Sequence, residues 1–107
     1  MKENSNKRYE KNIDTKEITI VIADDEIKNC KEIANALKKN EQIKILGIAN
    51  TDEEEIRMIE ELDPEIVITD LKRGDSLSGL DIIKDYAEKE KSPKFIIVSF
   101  SPDYRIV

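Results

Sequence analysis

Apolar residues along this chain come in short unbroken runs, separated by stretches where they recur every three or four positions. The runs are Ile18-Thr19-Ile20-Val21-Ile22-Ala23, Ile66-Val67-Ile68-Thr69 and Phe95-Ile96-Ile97-Val98, with a weaker one from Ile43 to Ala49 broken by Lys44 and Gly47. Short β-branched runs without alternation predict strands buried on both faces, as in a parallel sheet covered by helices. The broken run predicts an edge strand, where burial is less complete. Between the runs, Ile27, Cys30, Ile33, Ala34 and Leu37 share one helical face, so Cys30 reads as a packing residue. Thr51-Asp52-Glu53-Glu54 matches a capping box and opens a helix carrying Ile56, Ile59 and Leu62 that stops before Pro64. A third helix is expected from Leu80 to Glu90, with Ile83, Tyr86 and Ala87 inward and Ser92-Pro93 ending it. The resulting β-α-β-α-β-α-β order, with right-handed crossovers, predicts an α/β doubly wound open parallel sheet with helices on both faces.

The two ends of the chain read differently from its middle. Residues 1–16 are polar, mixed in charge and without periodicity, which predicts a disordered leader ahead of a domain over residues 17–107. Ser101-Pro102 reads as an N-cap with proline at the first helical position, and the five residues from Asp103 to Val107 are too few for a helix that covers a sheet face.

Composition narrows the chemistry. At 107 residues the chain has room for one domain, with hydrophobic residues at 38% and charged residues at 39%. No segment approaches the roughly 20 apolar residues that cross a bilayer, so no membrane partner is expected. Histidine is absent, which removes Ser-His-Asp triads and His-ligated zinc, and a single cysteine removes internal disulfides and CxxC motifs. No apolar segment follows Met1 as a secretory signal would require, and a cytoplasmic location is expected. A net charge of -6 argues against direct nucleic-acid binding, which depends on neutralising phosphates.

The placement of the acids is more telling than their number. In open α/β sheets, ligands bind beyond the carboxyl ends of the strands. The first predicted strand ends in Asp24-Asp25-Glu26, the third in Asp70 and the fourth in Ser99. Taken singly, Asp24 and Asp25 read equally as caps of the first helix, Asp70 as a strand-to-loop residue, and Ser99 as a strand-end or capping hydroxyl. Taken together, gathered carboxylates repel one another unless a cation or partner compensates. An all-oxygen set favours a hard ion, Mg²⁺ foremost, with Asp70 as a nucleophile toward a phosphoryl group.

Four segments, in order and suitably spaced, carry a resemblance. They are Ile20-Val21-Ile22-Ala23-Asp24-Asp25-Glu26, Pro64-Glu65-Ile66-Val67-Ile68-Thr69-Asp70-Leu71, Gly79-Leu80-Asp81-Ile82-Ile83 and Ile96-Ile97-Val98-Ser99. From Ile18 to Ser101 the chain resembles the receiver domain of response regulators in two-component signalling. The resemblance implies a flavodoxin-like fold with strand order 2-1-3-4-5. It implies that Asp70 accepts a phosphoryl group from the phosphohistidine of a sensor histidine kinase, as a signalling phosphoacceptor rather than a turnover enzyme. It further implies that Asp25 and Asp70 ligate Mg²⁺ directly, Asp24 through water, and Lys72 through its backbone carbonyl. Ser99 would be the hydroxyl that turns onto the phosphoryl group in conformational switching.

The chain departs from the family pattern at defined places. The usual Met-Pro pair after the acceptor is absent; the loop reads Lys72-Arg73-Gly74-Asp75-Ser76-Leu77-Ser78-Gly79 and is one residue longer. Phe100 follows Ser99, where a small residue is usual. By the resemblance the fifth strand, its lysine and the last helix would lie beyond Val107, which would leave an open sheet edge and favour self-association, a bound partner such as an output domain, or marginal folding. The rival expectation is a pseudo-receiver that keeps the fold as a protein-interaction module without switching. A Mg²⁺-dependent phosphatase with an aspartyl nucleophile would want a second acid two residues after the nucleophile, where Lys72 stands.

Overall fold

A computed structural model describes residues 16–98. Its four parallel strands are β1 (Ile18–Ala23), β2 (Ile43–Ala49), β3 (Ile66–Thr69) and β4 (Lys94–Ile97), arranged in the order β2-β1-β3-β4. They alternate with α1 (Ile27–Leu37), α2 (Asp52–Leu62) and α3 (Ser78–Ala87). This is the flavodoxin-like order expected, with the interrupted run forming an edge as foreseen. Opposite Ile20 and Val21 the β1–β2 register skips one residue, passing from Ile45 to Gly47.

The pleat of the sheet divides the core in two. Val21 and Ala23 of β1 point with Val67 toward α2 and α3, where Ile59, Ile82 and Tyr86 complete one cluster. Ile20, Ile22 and Ile68 point the other way, onto Cys30 and Ala34 of α1. Successive strand residues thus serve opposite faces, which is why β1 needs an unbroken apolar run rather than alternation.

The expected face of α1 is borne out by Cys30, Ile33, Ala34 and Leu37, while other expected helix positions differ. Ile27 at the start of α1 is 57% exposed, and Ile56 and Leu62 of α2 are each 41% exposed. The inward face of α2 is Glu55 and Ile59, with Met58 beside them, so a carboxylate occupies a position that apolar periodicity assigned to Ile56. In α3 the buried residues are Gly79, Ile82 and Tyr86, while Ile83 is half-buried and Ala87 exposed. The helix also begins and ends earlier than expected. Its start is set by Gly79, where a β-carbon would lie 2.3 Å from the Asp70 carbonyl oxygen. Only glycine allows α3 to begin so close to the end of β3.

The capping box forms with a shift of one residue. Thr51 Oγ1 accepts from the Glu54 backbone N–H at 3.1 Å, but Glu54 Oε1 accepts from Asn50 N–H at 2.8 Å rather than from Thr51. At the other end Asp63 adopts φ 50° and closes α2 just before Pro64. Ile96 and Ile97 on β4 are 47% and 52% exposed, so this strand is the least covered of those described. The expectations for the leader, for Ser99 and Phe100, and for the helix opening at Ser101-Pro102 lie outside the described residues.

Candidate functional site

The backbone ladder carries the acids to one edge of the sheet. Past the end of β1, Asp24 N–H donates to Ala49 O at 3.0 Å, and past the end of β3, Asp70 N–H donates to Ala23 O at 3.2 Å. Asp24 and Asp70 therefore end adjacent central strands, with β2 and β4 flanking them. The two carboxylates are close enough for the charge of Asp70 to push the Asp24 carboxyl upward.

Asp24 is buried, at 2% exposure. Its Oδ1 accepts from Glu26 N–H at 2.9 Å, and its Oδ2 accepts from Asn29 Nδ2 at 3.2 Å. Its backbone carbonyl accepts from Asn50 Nδ2 at 2.9 Å. Burial is the main force holding its carboxyl above the usual range, and the carboxyls of Asp70 and Asp25 add to it. The bonds from Glu26 and Asn29 oppose the rise without cancelling it. The α1 N-cap, Glu26, makes no side-chain capping bond, and the bond to Asp24 comes from that residue's own N–H. Helix capping therefore does not account for this acid.

Asp25 is exposed and reaches across to the loop that follows β3, where its Oδ2 accepts from Gly74 N–H at 3.0 Å. Asp70 is half-buried, and its Oδ1 accepts from Lys72 N–H at 3.2 Å. Beyond it the loop folds into a tight turn. Arg73 N–H donates to Ser76 O at 2.7 Å and Ser76 N–H returns to Arg73 O at 3.0 Å. Gly74 sits inside this turn at φ 60°, a conformation that favours glycine. In a trans peptide the carbonyl points opposite to the N–H of the next residue. The Arg73–Ser76 bond therefore turns the Lys72 carbonyl away from Ser76.

The structure thus brings Asp24, Asp25, Asp70 and Lys72 to one edge, with local hydrogen-bond partners on each acid. Among the described residues no three acids, cysteines or histidines gather into a cluster that could hold a metal ion. The donors that do assemble are all oxygens, the set a hard divalent ion takes. The mutual repulsion at Asp24 and Asp70 is the kind of strain such an ion relieves, so the chemistry of these residues fits Mg²⁺.

Sequence reasoning missed a neighbouring group. The side chain of Arg73 is only 8% exposed and binds Asp52 Oδ1 at 2.6 Å through Nη1. Its Nη2 reaches Glu55 Oε1 at 3.0 Å, Thr69 Oγ1 at 2.6 Å and the Asp70 carbonyl oxygen at 2.9 Å. Glu55 is fully buried, and burial raises its carboxyl although Arg73 pulls the other way. Glu55 Oε2 and Arg73 Nε lack a partner among the described residues. Helical spacing held the signal, since Glu55 lies four residues before Ile59 on the inward face. A run of four acids from Asp52 to Glu55 hid it.

The opposite end of the sheet is built otherwise. There a cavity of about 300 Å³ lies among Glu60, Asp63, Tyr86, Lys89 and Lys91. Tyr86 O–H donates to Glu60, and Lys91 pairs with Asp63 at 3.0 Å with both side chains largely exposed. No helix among the described residues is long and apolar enough to cross a membrane.

Comparison with known proteins agrees with this fold. The family model of the response regulator receiver domain matches residues 20–106. The chain is 28% identical over 88 residues to the transcriptional regulatory protein YdfI of Bacillus subtilis (strain 168), a match covering 82% of this chain and 41% of that protein. Among solved structures, the RcsB response regulator of Salmonella typhimurium gives a TM-score of 0.67 at 23% identity, covering 80% of this chain and 44% of that one. The non-phosphorylated RcsB receiver domain of Escherichia coli gives 0.65 at 23% identity, covering 81% of this chain and 68% of that one. The chain thus spans less than half the length of YdfI and of the Salmonella RcsB chain. A β2-β1-β3-β4 sheet that ends in Asp24 and Asp70, matched along residues 20–106, belongs to the response regulator receiver domain family.

Proposed function

We propose that the chain is the phosphoacceptor domain of a two-component phosphorelay, with Asp70 as the residue modified. The observation that carries this reading is the pairing of Asp24 and Asp70 at the ends of adjacent central strands, without a cationic side chain bonded to either carboxylate among the described residues. In the proposed step a carboxylate oxygen of Asp70 attacks phosphorus. The new O–P bond forms as the P–N bond to the donor's phosphohistidine breaks, and the departing imidazole nitrogen keeps the electron pair. The Lys72 N–H bond orients the Asp70 carboxylate. Asp24 stays ordered beneath it through Glu26 and Asn29.

Asp25, Asp70 and the Lys72 carbonyl would hold Mg²⁺ directly, with Asp24 acting through water. When bound, the ion supplies positive charge for the transferring phosphoryl oxygens. Ser99, outside the described residues, would be the switching hydroxyl. The proposed donor is a sensor histidine kinase in the cytoplasm. An output domain or a second copy of the chain would receive the signal.

Treating the chain with acetyl phosphate and Mg²⁺ and measuring its intact mass tests the reading. A single alkali-labile phosphoryl adduct is expected, and Asp70→Asn should abolish it. An adduct that survives Asp70→Asn would reassign the acceptor. A wild-type chain that forms none would favour the non-switching interaction module.

A further inference from the structure

Arg73 lies three residues beyond Asp70, in a loop whose other charged side chains, Lys72 and Asp75, face solvent. Its guanidinium alone turns inward, and two of its nitrogens make four bonds. Two of the partners, Asp52 and Glu55, belong to α2; the others, Thr69 Oγ1 and the Asp70 carbonyl, belong to the end of β3. One planar group therefore spans the seam between a helix and the acceptor strand.

A buried ion pair adds little net stability over an apolar pair of the same volume. A guanidinium differs from an apolar side chain in direction, because its donors form a rigid fork. Direction matters here because one acceptor is the carbonyl oxygen of Asp70 itself. The same oxygen accepts from Thr69 Oγ1 at 3.1 Å and lies close against Gly79 of α3. Holding it fixes the peptide plane that leads from Asp70 into the loop. The backbone of Arg73 then closes the turn on Ser76, which orients the Lys72 carbonyl and presents Gly74 N–H to Asp25.

We infer that Arg73 is a positioning residue for the acceptor. By strapping the Asp70 carbonyl to Glu55 and Asp52 of α2, it holds the Arg73–Ser76 turn in the orientation that phosphoryl transfer to Asp70 requires. The inference rests on Asp70 as phosphoacceptor, and it makes α2 a third element setting the geometry of the site, beside β1 and β3.

The test compares the wild-type chain with Arg73→Lys and with the double variant Arg73→Met, Glu55→Ala. The lysine keeps a positive charge opposite Glu55 but has no fork. The double variant removes both charges and leaves neither buried alone. Two rates are measured on each folded chain: adduct formation at Asp70 with acetyl phosphate at saturating Mg²⁺, and hydrogen exchange of the Gly74 amide by NMR. Small displacements of a reacting group cost up to about 100-fold, so adduct formation should slow by about tenfold or more in both variants. Gly74 exchange should accelerate while the amides of β1 and β3 keep their protection. A merely structural role would leave both rates unchanged in a variant that melts like wild type, and that result overturns the inference. Wild-type rates in Arg73→Lys alone also overturn it, which covers a double variant that does not fold. A wild-type chain that forms no adduct removes the acceptor reading and the inference together, whereas a normal wild-type adduct with unaffected variants removes the inference alone.

Discussion

Asp24 and Glu55 are the two buried carboxylates among the described residues, at 2% and 0% exposure, and the protein treats them in opposite ways. In both, burial raises the carboxyl above its ordinary range. Glu55 has a guanidinium 3.0 Å away, in a cluster closed on α2 and β3. Among the described residues Asp24 has only neutral donors and a second carboxylate, Asp70, whose charge works against it. A buried charge held by a matched partner is a structural device, whereas one held beside a like charge waits for a counter-ion from outside. The difference separates the scaffold of the site from its chemistry.

Removing the partner at one carboxylate should produce the largest effect. Arg73→Ala leaves Glu55 buried and unpaired, and the cost of such a loss is about 3–5 kcal/mol. That is a large share of the 5–15 kcal/mol typical of a small domain, so urea unfolding should show a sharply lowered midpoint. Asp24→Asn is expected to act in the other direction. It removes the repulsion with Asp70 while keeping an oxygen for Glu26 N–H, so the metal-free chain should gain stability, read as a rise in Tm. A fall in Tm for Asp24→Asn would mean that the two acids are better compensated than the geometry shows.

The pH dependence of Glu55 sharpens the contrast. Its ordinary pKa is 4.5 and its folded value is higher, chiefly through burial, with Asp52 adding to the rise and Arg73 opposing it. A carboxyl raised in the folded state binds more protons there than in the unfolded chain. Its contribution to stability is therefore fully present below about pH 4.5 and is lost as pH rises through the folded value. The stability of wild type relative to Glu55→Gln should be greatest at low pH and should decline toward neutrality. A difference that grew with pH would show that Arg73 outweighs burial.

The smallest effect concerns the helix faces. Ile27, at 57% exposure, should tolerate Ile27→Ser within about 0.5 kcal/mol, while Ile59→Ala should cost about 2–5 kcal/mol. Equal losses at the two positions would restore the apolar periodicity as the guide to the core.

That periodicity was a sound guide to the sheet and a poorer one to the helices, for a physical reason. Strands buried on both faces must be apolar at every position, so β1 and β3 were plain in the sequence, and with them the acids at their ends. A helix buries a stripe whose phase depends on what it packs against. In α2 that stripe includes Glu55, because Arg73 meets it from a distant loop. A carboxylate within an acidic run, and an arginine within a polar loop, each look like solvated surface until the fold brings them together. The expected edge position of β2 followed from its broken run, whereas the half-exposed Ile96 and Ile97 of β4 looked as apolar in sequence as the central strands.

The central claim is that the acids at the ends of β1 and β3 form an uncompensated site suited to a hard cation. Titrating Mg²⁺ against the thermal unfolding of the wild-type chain and of Asp70→Asn tests it most directly. A ligand that binds only the folded state adds about 2.7 kcal/mol at a hundredfold excess over its Kd. The wild-type Tm should therefore rise with Mg²⁺ and saturate, and Asp70→Asn should lose most of that rise. A wild-type Tm unchanged by Mg²⁺, or an equal rise in Asp70→Asn, would contradict the account.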